Sequence, residues 1–324
     1  MRHLFSQAKD LIAGASHILL LTDERIDGDT IGSTLGLYHT LTTSGKRCTI
    51  YSPKPLDSYL QFVPGHENIV RDAQVFTDPT VDLLIICDCS DGKYIEALLP
   101  TMPHKVPLIV FDHHATNPMY GTLNIVEPTA ASSADLTWRF VQYAEYEVTP
   151  EAAQCFLTGI CTDTILFSTS GTTTDAVNAS ADLVRLGADM RPIVRNTLMN
   201  RSLAAMRLWG TALERLFLDP IFGGVGTAIT RADMQRTGAN DEDASGISNF
   251  LHAMLDKSYD AVAVYRESDD GGVKGSVRSR GKNVAEIAEK HFGGGGHKVA
   301  AGFKVPNASL KKDEAGIWHV KRVA

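Results

Sequence analysis

Four short apolar runs, each closing on polar residues, constrain this chain more than any other feature. SHILLLTD (16–23), RCTIYS (47–52), VDLLIICD (81–88) and VPLIVFD (106–112) each read as a buried strand rich in Ile, Val and Leu. Helix candidates fall between them at about 31–44, 57–62 and 92–99. Strand–helix–strand repetition predicts an α/β domain: a parallel sheet with helices on both faces. Reactive groups in such sheets gather in loops at the carboxyl ends of strands. Three of the four runs deliver an aspartate there: Asp23, Asp88 and Asp112.

From 132 to 167 the pattern turns helical, in SADLTWRFVQYAEY and then PEAAQCFLTGICTDTILF, with apolar residues at spacings of three and four. Residues 174–216 are again helical, broken near Gly187, and the stretch 192–216 reads as a long connector. Beyond it come a helix near 245–255, strands at 259–267 and 273–280, and a helix NVAEIAEKHF running into the glycines Gly293–Gly296. A length of 324 residues suits two domains. The expected division is a first domain over 1–190, a helical linker over 191–216 and a smaller α/β domain over 217–324. The terminal KKDEAGIWHVKRVA carries little information.

Charge narrows the partners. Lys plus Arg total 31 against 38 Asp plus Glu, a net charge of −7. Coating duplex DNA relies on neutralising many phosphates, so that class is not expected. A small anionic substrate remains open, because a local site can be basic on an acidic molecule. The five cysteines (Cys48, Cys87, Cys89, Cys155, Cys161) sit in apolar stretches and read as reduced core thiols, pointing to a cytoplasmic address. The N-terminus lacks the pattern of a signal peptide, and no run reaches the ~18 apolar residues of a membrane span, so no membrane partner is expected.

The densest chemical signal is DERIDGD, which places Asp23, Glu24, Asp27 and Asp29 directly after a buried strand. Clustered carboxylates repel each other and demand protons, Arg or metal in compensation. The alternative is a solvated loop capping the following helix. CDCSDG places Asp88 at the end of the third run, and FDHHATN places His113 and His114 at the end of the fourth. Strand alternation expects Cys87 and Cys89 together on the face opposite Asp88. Asp163 interrupts an apolar helical stretch, where it is either costly to bury or a helix cap. Asp23, Asp27, Asp29, Asp88, Asp163 and His113 together form a hard oxygen-rich set that suits Mn²⁺ or Mg²⁺ better than structural zinc. Their number suits two ions sharing a carboxylate and activating a water for attack on phosphorus. A phosphate grip is offered by the Gly293–His297 run, with the positive end of a following helix expected behind it. Ser276, Arg278 and Arg280 fall on one strand face, where the two arginines could fork a phosphate. A flexible turn and a plain exposed basic strand are the alternatives.

In this order the motifs resemble those of the DHH phosphoesterases: Asp27-Gly-Asp29 with Thr30-Ile31-Gly32-Ser33, Asp88, Asp112-His113-His114, and Gly159 to Thr164. Ser276-Val-Arg278-Ser279 with Gly293–His297 resembles the DHH-associated domain. The likeness spans about 15–305, and the layout is that of the stand-alone oligoribonuclease (nanoRNase) and pAp-phosphatase branch. It implies hydrolysis of nanoRNA, pApA or related dinucleotides to 5′-mononucleotides, removal of the 3′-phosphate from pAp, or both. Two Mn²⁺ ions are the implied cofactor, with Mg²⁺ the alternative. The resemblance assigns Asp23 and Asp27 to one ion and Asp29, His113 and Asp163 to the other, with Asp88 bridging. His114 is then the acid or donor at the reacting phosphate, and Arg278, His297, Ser276 and the loop Gly294, Gly295, Gly296 bind substrate. One departure stands out: the family opens its first motif with His in H-x-x-P-D-x-D, and here Asp23 and Ile26 replace the His and Pro. Alternatives are a cyclic-dinucleotide (c-di-AMP) phosphodiesterase, a family II-like pyrophosphatase and a non-catalytic nucleotide-binding relative. A homodimer is the default assembly.

Overall fold

In the computed structural model, which describes every residue except 170, 198, 200, 323 and 324, the chain forms two units, Met1–Asn200 and Arg201–Ala324. The first unit contains α1 (Arg2–Gly14), β1 (His17–Leu21), α2 (Gly28–Thr43), β2 (Arg47–Tyr51), β3 (Ile69–Val70), β4 (Leu83–Cys87) and α3 (Lys93–Leu98). It continues with β5 (Leu108–Asp112), β6 (Leu123–Val126), α4 (Ser133–Ala144), α5 (Pro150–Asp163), α6 (Thr174–Arg185) and α7 (Met190–Thr197). All four apolar runs are strands. The sequence pattern misses β3, β6 and α1, and the helix candidate at 57–62 is a short 3-10 turn, Ser58–Leu60.

The strands run parallel in the order β3-β2-β1-β4-β5-β6. Along β4, Leu83, Ile85 and Cys87 enter one core with α2, α4 and α5, whereas Leu84 and Ile86 enter a second with Phe76 and Ile95. Burial on both faces explains why these runs are continuously apolar. The chain winds one way from β1 to β2 and β3, and the other way from β4 onward. The connections after β1 and β4 therefore part and leave a crevice at their carboxyl ends.

Two helices close that crevice. Gly28, Gly32 and Gly36 line one face of α2 against α5, where a Cβ on Gly32 would come within 2.6 Å of the Cys155 carbonyl and the Gly159 nitrogen. A Cβ on Gly36 would lie 2.4 Å from the Phe156 ring. This close antiparallel crossing brings the start of α2 beside the end of α5, and with them Asp29 and Asp163. The expected helix through 167 stops at Asp163. Ile165, Leu166 and Phe167 adopt φ of 46°, 53° and 65°, a left-handed turn that hydropathy spacing does not reveal.

The second unit comprises α8 (Leu203–Glu214), β7 (Phe217–Asp219), β8 (Gly224–Ile229), α9 (Arg231–Thr237), α10 (Ile247–Met254), β9 (Ala261–Glu267) and β10 (Val273–Ser279). It ends with α11 (Val284–Phe292), β11 (Gly295–His297), β12 (Ala300–Val305), β13 (Ala308–Lys312) and β14 (Trp318–Arg322). Its mixed sheet runs β11-β12-β10-β9-β8-β7, beside a β13–β14 hairpin formed largely by the uninformative terminal segment. Phe222, Tyr265, Val277 and Phe303 anchor its own core. The expected long connector is two helices: α7 ends at Thr197, and α8 begins at Leu203 and packs Leu208 and Ala212 against Ile229 and Val262. Among the described residues no helix is long and apolar enough to cross a membrane.

Candidate metal centre

The DERIDGD loop does two jobs at once. Asp27 is the N-cap of α2, its Oδ1 accepting from the backbone nitrogens of Asp29 (2.9 Å) and Thr30 (3.0 Å). The capping alternative therefore holds for Asp27. Asp29, one position into the helix, is 1% exposed. Its Oδ2 accepts from Ser133 N at 2.7 Å and its Oδ1 from Ala134 N at 2.8 Å, both at the N-terminus of α4. That end is free to donate because Ser132 caps the helix through Asp135 N at 3.0 Å.

Asp88 follows β4 with a left-handed φ of 58°. The turn swings its carboxylate to Thr30 Oγ1, which donates to Oδ2 at 2.7 Å, and to Ser133 Oγ, which donates to Oδ1 at 3.1 Å. It also corrects the expectation for the flanking cysteines. Both are buried, but Cys87 joins the α2–α5 core and Cys89 the opposite one, because simple alternation ends at Asp88. At the end of β5, Asp112 is fully buried and accepts from His114 Nδ1 at 2.8 Å and from Asn117 Nδ2 at 2.6 Å. That bond fixes the His114 ring and leaves Nε2 as its other functional edge.

These elements bring five of the expected residues together. Asp29, His113 and Asp163 form one group, and Asp88, His113 and His114 another, each offering ligand atoms within 4.8 Å of one another. His113 Nε2 belongs to both, lying 3.9 Å from Asp29 Oδ2, 3.8 Å from Asp88 Oδ1 and 3.7 Å from Asp163 Oδ2. Asp23 and Asp27 fall in neither group. Asp23 is nearly buried after β1, its Oδ1 accepting from Glu24 N at 2.6 Å and its Oδ2 3.9 Å from Arg25 Nε.

The electrostatics are those of a cation site. Burial, then the charges of Asp88, Asp163 and Asp27, push the Asp29 carboxyl well above its usual range. Burial and then Asp27 do the same to Asp88. Asp163, whose side chain is 34% exposed, is raised by its partial desolvation, with His113 opposing. The hydrogen bond to Asp112 lifts His114 to about 9 against its own burial. Among the described residues, the ion pairs of Asp29, Asp88 and Asp163 are to His113 and His114 alone, with no Lys or Arg. Two buried carboxylates, Asp29 and Asp88, with the more exposed Asp163 and two imidazoles form a donor set that fits divalent cations.

In the second unit, Arg278 Nε donates to Asn249 Oδ1 at 2.8 Å, and Ser276 Oγ lies 3.0 Å from Ser248 Oγ. Arg280 does not stand free beside Arg278. The Arg280 guanidinium is spent on the carbonyls of His252, Leu255, Asp256 and Tyr259, tying down the end of α10. The glycine run also differs from expectation. It follows the C-terminus of α11, with Gly293 as left-handed cap, and Gly295, Gly296 and His297 become the exposed edge strand β11. No helix N-terminus stands behind it, since a turn leads directly to β12. Close approach accounts for two of the glycines: a Cβ on Gly294 would lie 2.4 Å from the Gly302 carbonyl, and on Gly296 2.5 Å from that of Ala300.

Comparison with known proteins decides the family. Residues 17–160 match the N-terminal domain of the DHH family and residues 225–315 the DHHA1 domain. A bifunctional oligoribonuclease and PAP phosphatase NrnA from Thermus thermophilus is 30% identical over 308 residues, covering 94% of this chain and 88% of that one. The chain belongs to the DHH/DHHA1 phosphoesterase family. The protein of the same name from Bacillus subtilis is 24% identical over 294 residues, 89% of each chain. An exopolyphosphatase-related protein from Bacteroides fragilis shares the fold, with a TM-score of 0.85 at 24% identity over 94% of this chain and 91% of that one.

As a DHH/DHHA1 member the chain is a hydrolytic phosphoesterase. Its DHH match ends at residue 160, yet the α2–α5 crossing carries Asp163 into the centre regardless. Sequence reading missed three contributors: Asp112 as the anchor of His114, and Thr30 and Ser133 as donors to Asp88. Asp112 was visible at a strand end. Ser133 carried only the signal of a serine pair opening a helix.

Proposed function

We propose that this phosphoesterase acts on short nucleotides: nanoRNA and linear dinucleotides such as pApA, released as 5′-mononucleotides, and the 3′-phosphate of pAp. The observation that carries this reading is the convergence of Asp29, Asp88, His113, His114 and Asp163 at the sheet's switch point. The names of the Thermus thermophilus and Bacillus subtilis relatives, oligoribonuclease and PAP phosphatase, support the substrate class. The donor set favours Mn²⁺ or Mg²⁺. When bound, a pair of such ions lowers the pKa of a water and neutralises charge on the phosphoryl oxygens. Asp29, His113 and Asp163 would hold one ion, and Asp88, with Asp23 and Asp27 from the loop after β1, would serve the second. Asp112 keeps His114 oriented, so its Nε2 donates to a phosphate oxygen or the leaving oxygen. Arg278, Ser276, His297 and the Gly294–Gly296 backbone bind a phosphate of the substrate, with Arg278 pre-set by Asn249.

The test is turnover of pAp, pApA, a 5-mer RNA, c-di-AMP and pyrophosphate by the purified protein in Mn²⁺ and in Mg²⁺. Release of AMP from pApA or phosphate from pAp is expected. Hydrolysis of c-di-AMP or pyrophosphate alone would reassign the substrate, and binding without turnover would make this a nucleotide-binding relative. Asp88→Ala should lose nearly all turnover.

A further inference from the structure

One residue touches both donor groups. Ser133 N donates to Asp29 Oδ2 at 2.7 Å, and Ser133 Oγ donates to Asp88 Oδ1 at 3.1 Å. Those are the same two oxygens that face His113 Nε2, at 3.9 and 3.8 Å. Ser133 is fully buried. Its place is set by the Ser132 cap and by Asp135, whose Oδ2 accepts from Ala131 N at 3.4 Å and Arg139 Nη2 at 3.0 Å.

We propose that Ser133 is a positioning residue that fixes the Asp29 and Asp88 oxygens relative to one another and so sets how tightly the two cations bind. This rests on the metal-dependent reading above. A hydrogen bond to a ligating carboxylate removes its rotational freedom and one of its lone-pair directions, leaving the other for the ion. The backbone contact to Asp29 survives any side-chain change, whereas the contact to Asp88 depends on the hydroxyl. Thr30 Oγ1 holds the other Asp88 oxygen at 2.7 Å. Loss of the Ser133 hydroxyl therefore removes the hydrogen-bond donor from Oδ1, which faces His114 Nδ1 at 3.6 Å and His113 Nε2 at 3.8 Å, while Oδ2 stays tethered.

The experiment is calorimetric titration of metal-free full-length protein with Mn²⁺, comparing wild type, Ser133→Ala and Asp163→Asn, with thermal unfolding of each metal-free protein alongside. Asp163→Asn identifies the binding step that belongs to the Asp29–His113–Asp163 group. Ser133→Ala should weaken Mn²⁺ binding by about tenfold in at least one step, with the metal-free unfolding midpoint essentially unchanged. Two steps identical to wild type would overturn the proposal. So would equal weakening of both steps with a lowered metal-free midpoint, which would make Ser133 a structural cap only. A wild-type protein that takes up no Mn²⁺ would instead overturn the metal reading, and this inference with it.

Discussion

At the scale of single residues, the centre is a site where folding and function oppose each other. Asp29, Asp88 and Asp163 all titrate above their usual range in the folded chain, burial being the largest cause for each. A carboxyl raised by folding holds a proton that the unfolded chain releases. The resulting penalty is absent below the unfolded pKa, grows as pH rises from there toward the folded one, and is fully present above it. Near neutrality the metal-free protein carries that penalty, and a divalent cation relieves it by replacing the protons. Mn²⁺ affinity should accordingly rise with pH, with proton release detected by calorimetry in buffers of different ionisation enthalpy. Asp163→Asn should weaken Mn²⁺ binding at least tenfold, read by calorimetry. Asp23 calls for a separate test, since the family has a neutral imidazole where this chain has an anion. Asp23→His should shift the activity profile from Mg²⁺ toward softer ions such as Co²⁺ or Zn²⁺. An unchanged profile would remove Asp23 from the ligand set. The identities of these residues could be read from the sequence, because carboxylates and imidazoles after apolar strands have few other uses. The hydroxyls of Thr30 and Ser133 could not, because Ser and Thr before a helix are ordinary caps.

At the scale of elements, the α2–α5 crossing decides where the ligands meet. A methyl on Gly32 would meet backbone atoms at 2.6 Å, which cannot yield as a flexible side chain can. Gly32→Ala gains about 1 kcal/mol of helix propensity. Overpacking costs about 1–3 kcal/mol, and more where backbone must move. The clash should win, with a net loss of roughly 2 kcal/mol in urea unfolding and a disproportionate fall in turnover, because α5 carries Asp163. A variant as stable and active as wild type would show that the helices can part freely. The Gly28, Gly32, Gly36 spacing is plain in the sequence, but which helix it meets is not. The left-handed turn at Ile165–Phe167 is less legible still, since neither Ile nor Leu nor Phe favours positive φ. It follows from packing around the end of α5, not from local preference.

At the scale of the molecule, each unit has its own hydrophobic core, and the metal donors all lie in the first. Thermal unfolding should therefore show two transitions. Mn²⁺ at about a hundred times its dissociation constant should raise only one, by about 5–10 °C. A single transition that moves as a whole would show the units to be energetically coupled. By itself the sequence determined the parallel α/β class, the strand ends that bear acids and imidazoles, and the family, because burial on both faces of a sheet and charge at its edge leave a local pattern. Only the tertiary structure decided which of those groups lie close enough to share one ion, that Arg280 is a helix tether, that the glycine run is an edge strand, and that Ser133 joins two carboxylates. Those outcomes depend on contacts between residues as far apart as Asp29 and Ser133, and no spacing along the chain encodes the angle at which two helices cross.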